Sequence, residues 1–212
     1  MKEINEILFI VFSTLETWSI FAISFTLFRF NILKYNLQII PVSFLMALLN
    51  YAIWHETNLG SWIPVIGLVL FTLFIFYMLR TSLIGSLIVA LTGYGTVILI
   101  QTAFLYICQL AGFTTVADVQ AGGTDYYILS AVSSIAVILL SLLLYRLGYG
   151  FSFSLNHFKV QRENLLILAI MVAMFIMLSF LHLLKNRLYF VELVAVAIVL
   201  FLIFIALRRE RT

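Results

Sequence analysis

Four side chains in this 212-residue sequence bring ionisable or strongly hydrogen-bonding chemistry into apolar surroundings: Glu16, Gln101, His182 and Glu192. Glu16 is the sharpest of them. It lies near the middle of a long apolar run. If that run crosses a bilayer, a charge at its centre costs at least about 2.5 kcal/mol. On a helix turning about 100° per residue, Ser13 and Ser19 fall within roughly 60° of it. The stripe should therefore face other helices rather than lipid. Its chemistry would be a ligand contact or a proton-sensitive switch; the plainer alternative is a hydrogen-bonded packing residue.

Gln101 belongs to a second stripe. Tyr94, Gln101 and Cys108 recur every seven residues and so share a helix face. On a membrane helix this forms either a hydrogen-bonded seam or the wall of a pocket. His182 and Glu192 lie five residues either side of Arg187. In a tight helical hairpin they would face each other near one membrane surface, with Lys185 and Arg187 within pairing distance of Glu192. A histidine beside a carboxylate keeps its proton to higher pH. The competing reading is an ion cluster that offsets the two basic residues.

Other chemistries lack their residues. No H-E-x-x-H or G-x-S-x-G pattern occurs, and three scattered histidines form no metal box. No catalytic residue, metal site or cofactor is expected, and the chain reads as a non-enzyme. The single cysteine excludes an internal disulfide. Thr92-Gly93-Tyr94-Gly95 resembles part of a potassium filter, but the valine is missing and the stretch lies inside a continuous apolar run.

The elements that must position these residues follow from composition. The chain is 64% hydrophobic and 10% charged, against about 25% charged in soluble domains. Its long runs do not alternate, which excludes a barrel. The sequence thus predicts an all-α integral membrane protein, one polytopic domain with spans near 7–28, 37–54, 61–79, 83–110, 126–145, 165–184 and 188–207. A six-helix count is the alternative. The last run, at about 30 Å, matches the hydrocarbon thickness and is followed by Arg208-Arg209-Glu210-Arg211. Placing that cluster in the cytoplasm puts the N-terminus outside. Arg29, Lys34, Arg80, Arg146, Lys159, Arg162, Arg208, Arg209 and Arg211 then lie inside, and only Lys2, Lys185 and Arg187 outside. The N-terminus, with one lysine and several acids, makes a poor signal-peptide start, so the first helix is expected to be retained.

Local signals refine the spans. Pro41 and Pro64 should sit in the first turns of the second and third helices, where a missing N–H costs little, with Ser61 as N-cap of the third. Ser82, Ser86 and Ala90 form a small-xxx-small ladder, which permits close helix approach within the monomer or across a homodimer. The aromatic stretch at 149–153 suits a membrane interface. The net charge of +3 reflects loop asymmetry and gives no case for nucleic acid.

An outside N-terminus, short loops and a basic inner exit, with the start Met1-Lys2-Glu3-Ile4-Asn5-Glu6-Ile7-Leu8-Phe9 and the exit Leu27-Phe28-Arg29-Phe30, resemble the sensor portion of peptide-pheromone histidine kinases of the accessory gene regulator type. Those receptors continue into a coiled-coil linker and a kinase, and no kinase motif occurs here. The resemblance implies a sensor module cut at its membrane exit, or a stand-alone relative that signals through a cytoplasmic partner such as a kinase. The expected function is a receptor-like module in a bacterial cytoplasmic membrane, in contact with lipid, binding an extracellular ligand such as a small peptide at Glu16, Gln101, His182 and Glu192. The alternatives are a small transporter, efflux or immunity component, or a structural subunit of a larger complex.

Overall fold

The computed structural model describes residues 2–56, 63–115, 119 and 124–151. Among them are five α-helices and no strand: α1 (Lys2–Leu27), α2 (Ile32–Glu56), α3 (Ile63–Leu79), α4 (Leu83–Leu110) and α5 (Thr124–Leu147). Four of these, α1, α2, α4 and α5, are long and apolar enough to cross a membrane. The described part of α3 has 17 residues, about 26 Å of helix, slightly less than the hydrocarbon core. The runs at 165–184 and 188–207, with His182 and Glu192, lie outside the described residues, as does Ser61.

Two helix starts differ from expectation. Both α1 and α2 begin earlier than the apolar runs, at Lys2 and Ile32. Hydropathy reports the depth of hydrocarbon, whereas the backbone ladder continues through polar residues at its ends. Asn31 supplies the cap that starts α2, its Oδ1 accepting from Leu33 N at 3.0 Å. Pro41 is consequently inside α2 and not in its first turns. It removes the N–H that would bond the Leu37 carbonyl, a loss that membrane helices tolerate better than soluble ones.

The helix ends are built alike. At the end of α1, Phe30 N donates to Phe25 O at 2.8 Å and Arg29 N to Thr26 O at 3.1 Å. At the end of α4 the pairs are Phe113 to Cys108 and Gly112 to Gln109; at the end of α5 they are Tyr149 to Leu144 and Gly148 to Tyr145. Each is a Schellman closure, which needs a left-handed residue after the last turn. Glycine fills that position in α4 and α5, but Arg29 fills it in α1 with φ 56. The turn after α3 also uses a left-handed arginine, Arg80, with φ 51. Ser82 then caps α4 by accepting from Gly85 N.

α1 is the central helix. It packs against α2, α4 and α5, while α3 packs against α4 and α2. An aromatic knot centres on Phe21, whose ring lies 4.2 Å from that of Phe71 and 5.4 Å from that of Phe74. Tyr94 closes edge-on against Phe71 at 5.5 Å. α2 joins through Trp18 Nε1, which donates to Asn36 Oδ1 at 2.9 Å. Where α4 crosses α1, any Cβ on Gly93 would overlap Ser24 Oγ and stand 3.2 Å from Ile20 O.

Hydroxyl side chains share the interior with the apolar core, and large apolar side chains cover the outside. Ser19, Ser24, Thr26, Ser86, Ser130 and Ser133 are buried, while Leu37, Phe44, Leu49, Ile135, Leu139 and Leu143 are exposed. Most inner hydroxyls bond a carbonyl three or four residues back, as Thr72 does to Leu68 O and Ser24 to Ile20 O. They satisfy themselves without water and add little bulk, so backbones approach closely. An apolar exterior around a hydroxyl-bearing interior is what a bilayer solvent selects, and it marks the chain as a membrane protein. In the ladder on α4, Ser86 and Ala90 are fully buried within the chain and Ser82 is the cap.

Candidate functional site

The site forms where α1 meets α4 and α5. α1 and α5 run parallel, with Glu16 level with Ser130 and Thr26 level with Ser141. α4 runs antiparallel, so Gln101 comes level with Glu16 while Gly93 lies against Ser24. Glu16 is partly buried at this junction. Ser130 Oγ donates to its Oε2 at 3.3 Å, and the Gln101 side chain hydrogen-bonds the same carboxylate. Tyr94 of α4 and Tyr126 of α5 lie near enough to feel its charge. No lysine or arginine among the described residues is paired with it.

The neighbouring turns explain how the layer is held. One turn before Glu16, the ring of Phe12 stacks on Tyr127 at 5.6 Å, which fixes the start of α5 against α1. Thr114 donates to Asp125 Oδ2 at 2.9 Å. Asp125 sits in the first turn of α5, where the helix dipole favours a negative charge. Past Glu16, Ser141 donates to Ala22 O at 2.9 Å and shares a 2.7 Å hydrogen bond with Thr26. At the far ends, Phe151 N donates to Leu27 O at 2.6 Å, and Arg29 donates to Gly148 O at 3.0 Å. The Phe28 and Phe151 rings meet at 5.5 Å. The described part of the aromatic 149–153 stretch is thus strapped onto the end of α1.

The expected residues divide as follows. Glu16 and Gln101 come together from different helices. Ser19 does turn inward, but its hydroxyl donates to the Glu16 backbone carbonyl and leaves the carboxylate alone. Of the seven-residue stripe on α4, Tyr94 packs on Phe71 of α3 and Gln101 reaches Glu16, while Cys108 is a free, partly buried thiol. His182 and Glu192 lie outside the described residues. Ser130 and Tyr126 were not among the site residues expected from the sequence. The signal for Ser130 was present, since Ser130, Ser134, Val137 and Ser141 recur on one face of α5, but a helical register relative to α1 is not written in either helix alone.

Chemically, the layer offers one carboxylate, one amide and several hydroxyls. No group of three histidine, cysteine, aspartate or glutamate side chains able to hold a metal occurs among the described residues. A carboxylate whose partners among the described residues are neutral donors suits binding of a cationic or hydrogen-bonding group. No protein-family model, no curated protein and no solved structure matches this chain.

Proposed function

We propose that this chain is a receptor-like membrane module whose Glu16 layer reads an extracellular ligand and passes the change to a cytoplasmic partner. The observation that carries this reading is the convergence of three helices on one carboxylate, with Gln101 from α4 and Ser130 from α5 as its partners. A ligand that competes for the carboxylate changes how α1 and α5 sit against each other. It shifts that equilibrium only by its differential affinity for the two arrangements. The strap between Leu27–Arg29 and Gly148–Phe151 lies where α1 and α5 end, and it ties their exits together. In the full topology of this proposal, seven spans place the N-terminus outside and the C-terminus in the cytoplasm of a bacterial membrane, with His182 and Glu192 near the outer surface. The likeness to peptide-pheromone sensors makes short peptides the first ligands to try and a kinase the first partner.

The test uses the full chain in lipid nanodiscs, with fluorophores at the exposed positions Leu33 and Tyr149. A panel of short peptides is titrated in. The expected result is a saturable change in the transfer efficiency that Glu16→Gln removes. Net solute or ion flux through proteoliposomes bearing the same chain, with no peptide response, would overturn the receptor reading in favour of a transporter.

A further inference from the structure

We infer that the Glu16 layer binds a monovalent alkali-metal cation, held by the Glu16 carboxylate together with the hydroxyls of Ser130 and Ser134. The inference rests on reading that layer as a site, and it names the chemistry the site takes. Three observations carry it. The first is charge. Among the described residues, the side chains that interact with Glu16, namely Ser130, Gln101, Tyr94 and Tyr126, are all uncharged at neutral pH. α2 packs on the opposite face of α1, through Trp18 and Asn36. A carboxylate in an apolar bundle needs a compensating positive charge or a proton.

The second is an orphaned hydroxyl. Ser134 Oγ has no hydrogen-bond partner among the described residues, and the residue is 1% exposed. Leaving such a group unpaired costs about 1–3 kcal/mol, which makes a bound ion or water its natural explanation. Ser130 and Ser141 both bond α1, and Ser134 lies between them on the same face of α5. The residue therefore stands on the face of α5 that meets α1, about one helical turn past Ser130. Many buried serines and threonines here bond back to their own helix, as Ser133 does to Ser130 O. Ser134 does not.

The third is slack. The Ser130 to Glu16 contact of 3.3 Å is longer than the roughly 2.7–2.8 Å usual for a hydroxyl donor. A cation between the two oxygens would replace this long hydrogen bond. The valence follows from neutrality. One carboxylate with neutral oxygens cancels a single positive charge, whereas a divalent ion would leave a net charge in hydrocarbon. Oxygen donors of this kind suit hard cations rather than thiophilic metals.

The experiment measures thermal unfolding of the full chain in nanodiscs in sodium, potassium or lithium chloride, with choline chloride keeping the ionic strength constant. A ligand that binds only the folded state raises Tm in a saturable way. One alkali ion should do so for the wild type. Ser134→Ala should raise the half-saturating concentration about tenfold, the order expected for one contact to a charge, while leaving Tm in choline unchanged or higher. Glu16→Gln should make Tm independent of the alkali ion; if that variant does not fold, Ser130→Ala serves, with the same expected weakening as Ser134→Ala. Equal Tm in all salts for the wild type overturns the inference, as does an undiminished alkali response in Ser134→Ala. A Tm that follows pH but no alkali ion assigns the compensating charge to a proton and overturns it too. In either case a peptide response lost in Glu16→Gln would still support the receptor reading, so the two failures are separable.

Discussion

Gly93 and Ser24 occupy the point where α4 crosses α1, and they leave no room for a β-carbon on Gly93. A Cβ there would overlap Ser24 Oγ, stand 3.0 Å from Ser24 Cβ and 3.2 Å from Ile20 O. Ser24 cannot swing away cheaply, because its hydroxyl is bonded to Ile20 O at 2.6 Å. Gly93→Ala should therefore destabilise the fold by about 1–3 kcal/mol, the usual cost of overpacking. Pairing it with Ser24→Gly should recover a good part of the loss. Thermal unfolding of both single variants and the double variant checks this, and purely additive losses would refute the shared contact.

Thr26 and Ser141 are each other's partners across α1 and α5. Thr26→Val leaves Ser141 with its bond to Ala22 O, so the loss should be modest, about 0.6 kcal/mol as for other membrane hydrogen bonds. Ser141→Ala removes two bonds and should cost more, about 1 kcal/mol. The double variant should cost little beyond Ser141→Ala. Unfolding equilibria in mixed micelles provide the measurement.

Arg29 holds a left-handed conformation that glycine adopts freely, and it compensates with a bond to Gly148 O. Arg29→Gly should be close to neutral in stability, because relief of strain offsets the lost bond. Arg29→Val loses the bond and adds β-branched strain, and should cost about 1–2 kcal/mol. The ranking Gly above Val in Tm is the outcome to look for.

Trp18 reports on the α1–α2 contact through its bond to Asn36. With Trp54 and Trp62 replaced by phenylalanine, Asn36→Leu should shift the Trp18 emission to the blue. It should lower stability by about 1 kcal/mol, since a half-buried indole N–H is left unpaired. An unchanged spectrum would mean that this pair does not hold the two helices in the bilayer.

The helices were legible because apolar runs of this length have few alternatives. The run at 83–110 coincides with α4. The starts of α1 and α2 were not, because charged residues near the membrane surface end a hydropathy window without ending the hydrogen-bond ladder. Glu16 was legible from cost alone, as a carboxylate in mid-run. Its partners were not, because they depend on the axial stagger of α4 and α5 against α1. That stagger is set by contacts such as Gly93 on Ser24, which a linear pattern of small residues permits but does not select.

The tie between Phe151 N and Leu27 O joins the backbones of two parallel helices at one end, whereas toward the other end they meet through side chains, at the Glu16–Ser130 bond and the Phe12–Tyr127 stack. A ligand that displaced those side chains would open the pair like tongs. From Leu27 back to Glu16 the arm is about 16 Å long. Wedging the jaws apart by about 1 Å at the carboxylate tilts one helix against the other by about 3–4°, and the pivot is the very place from which the chain departs α5.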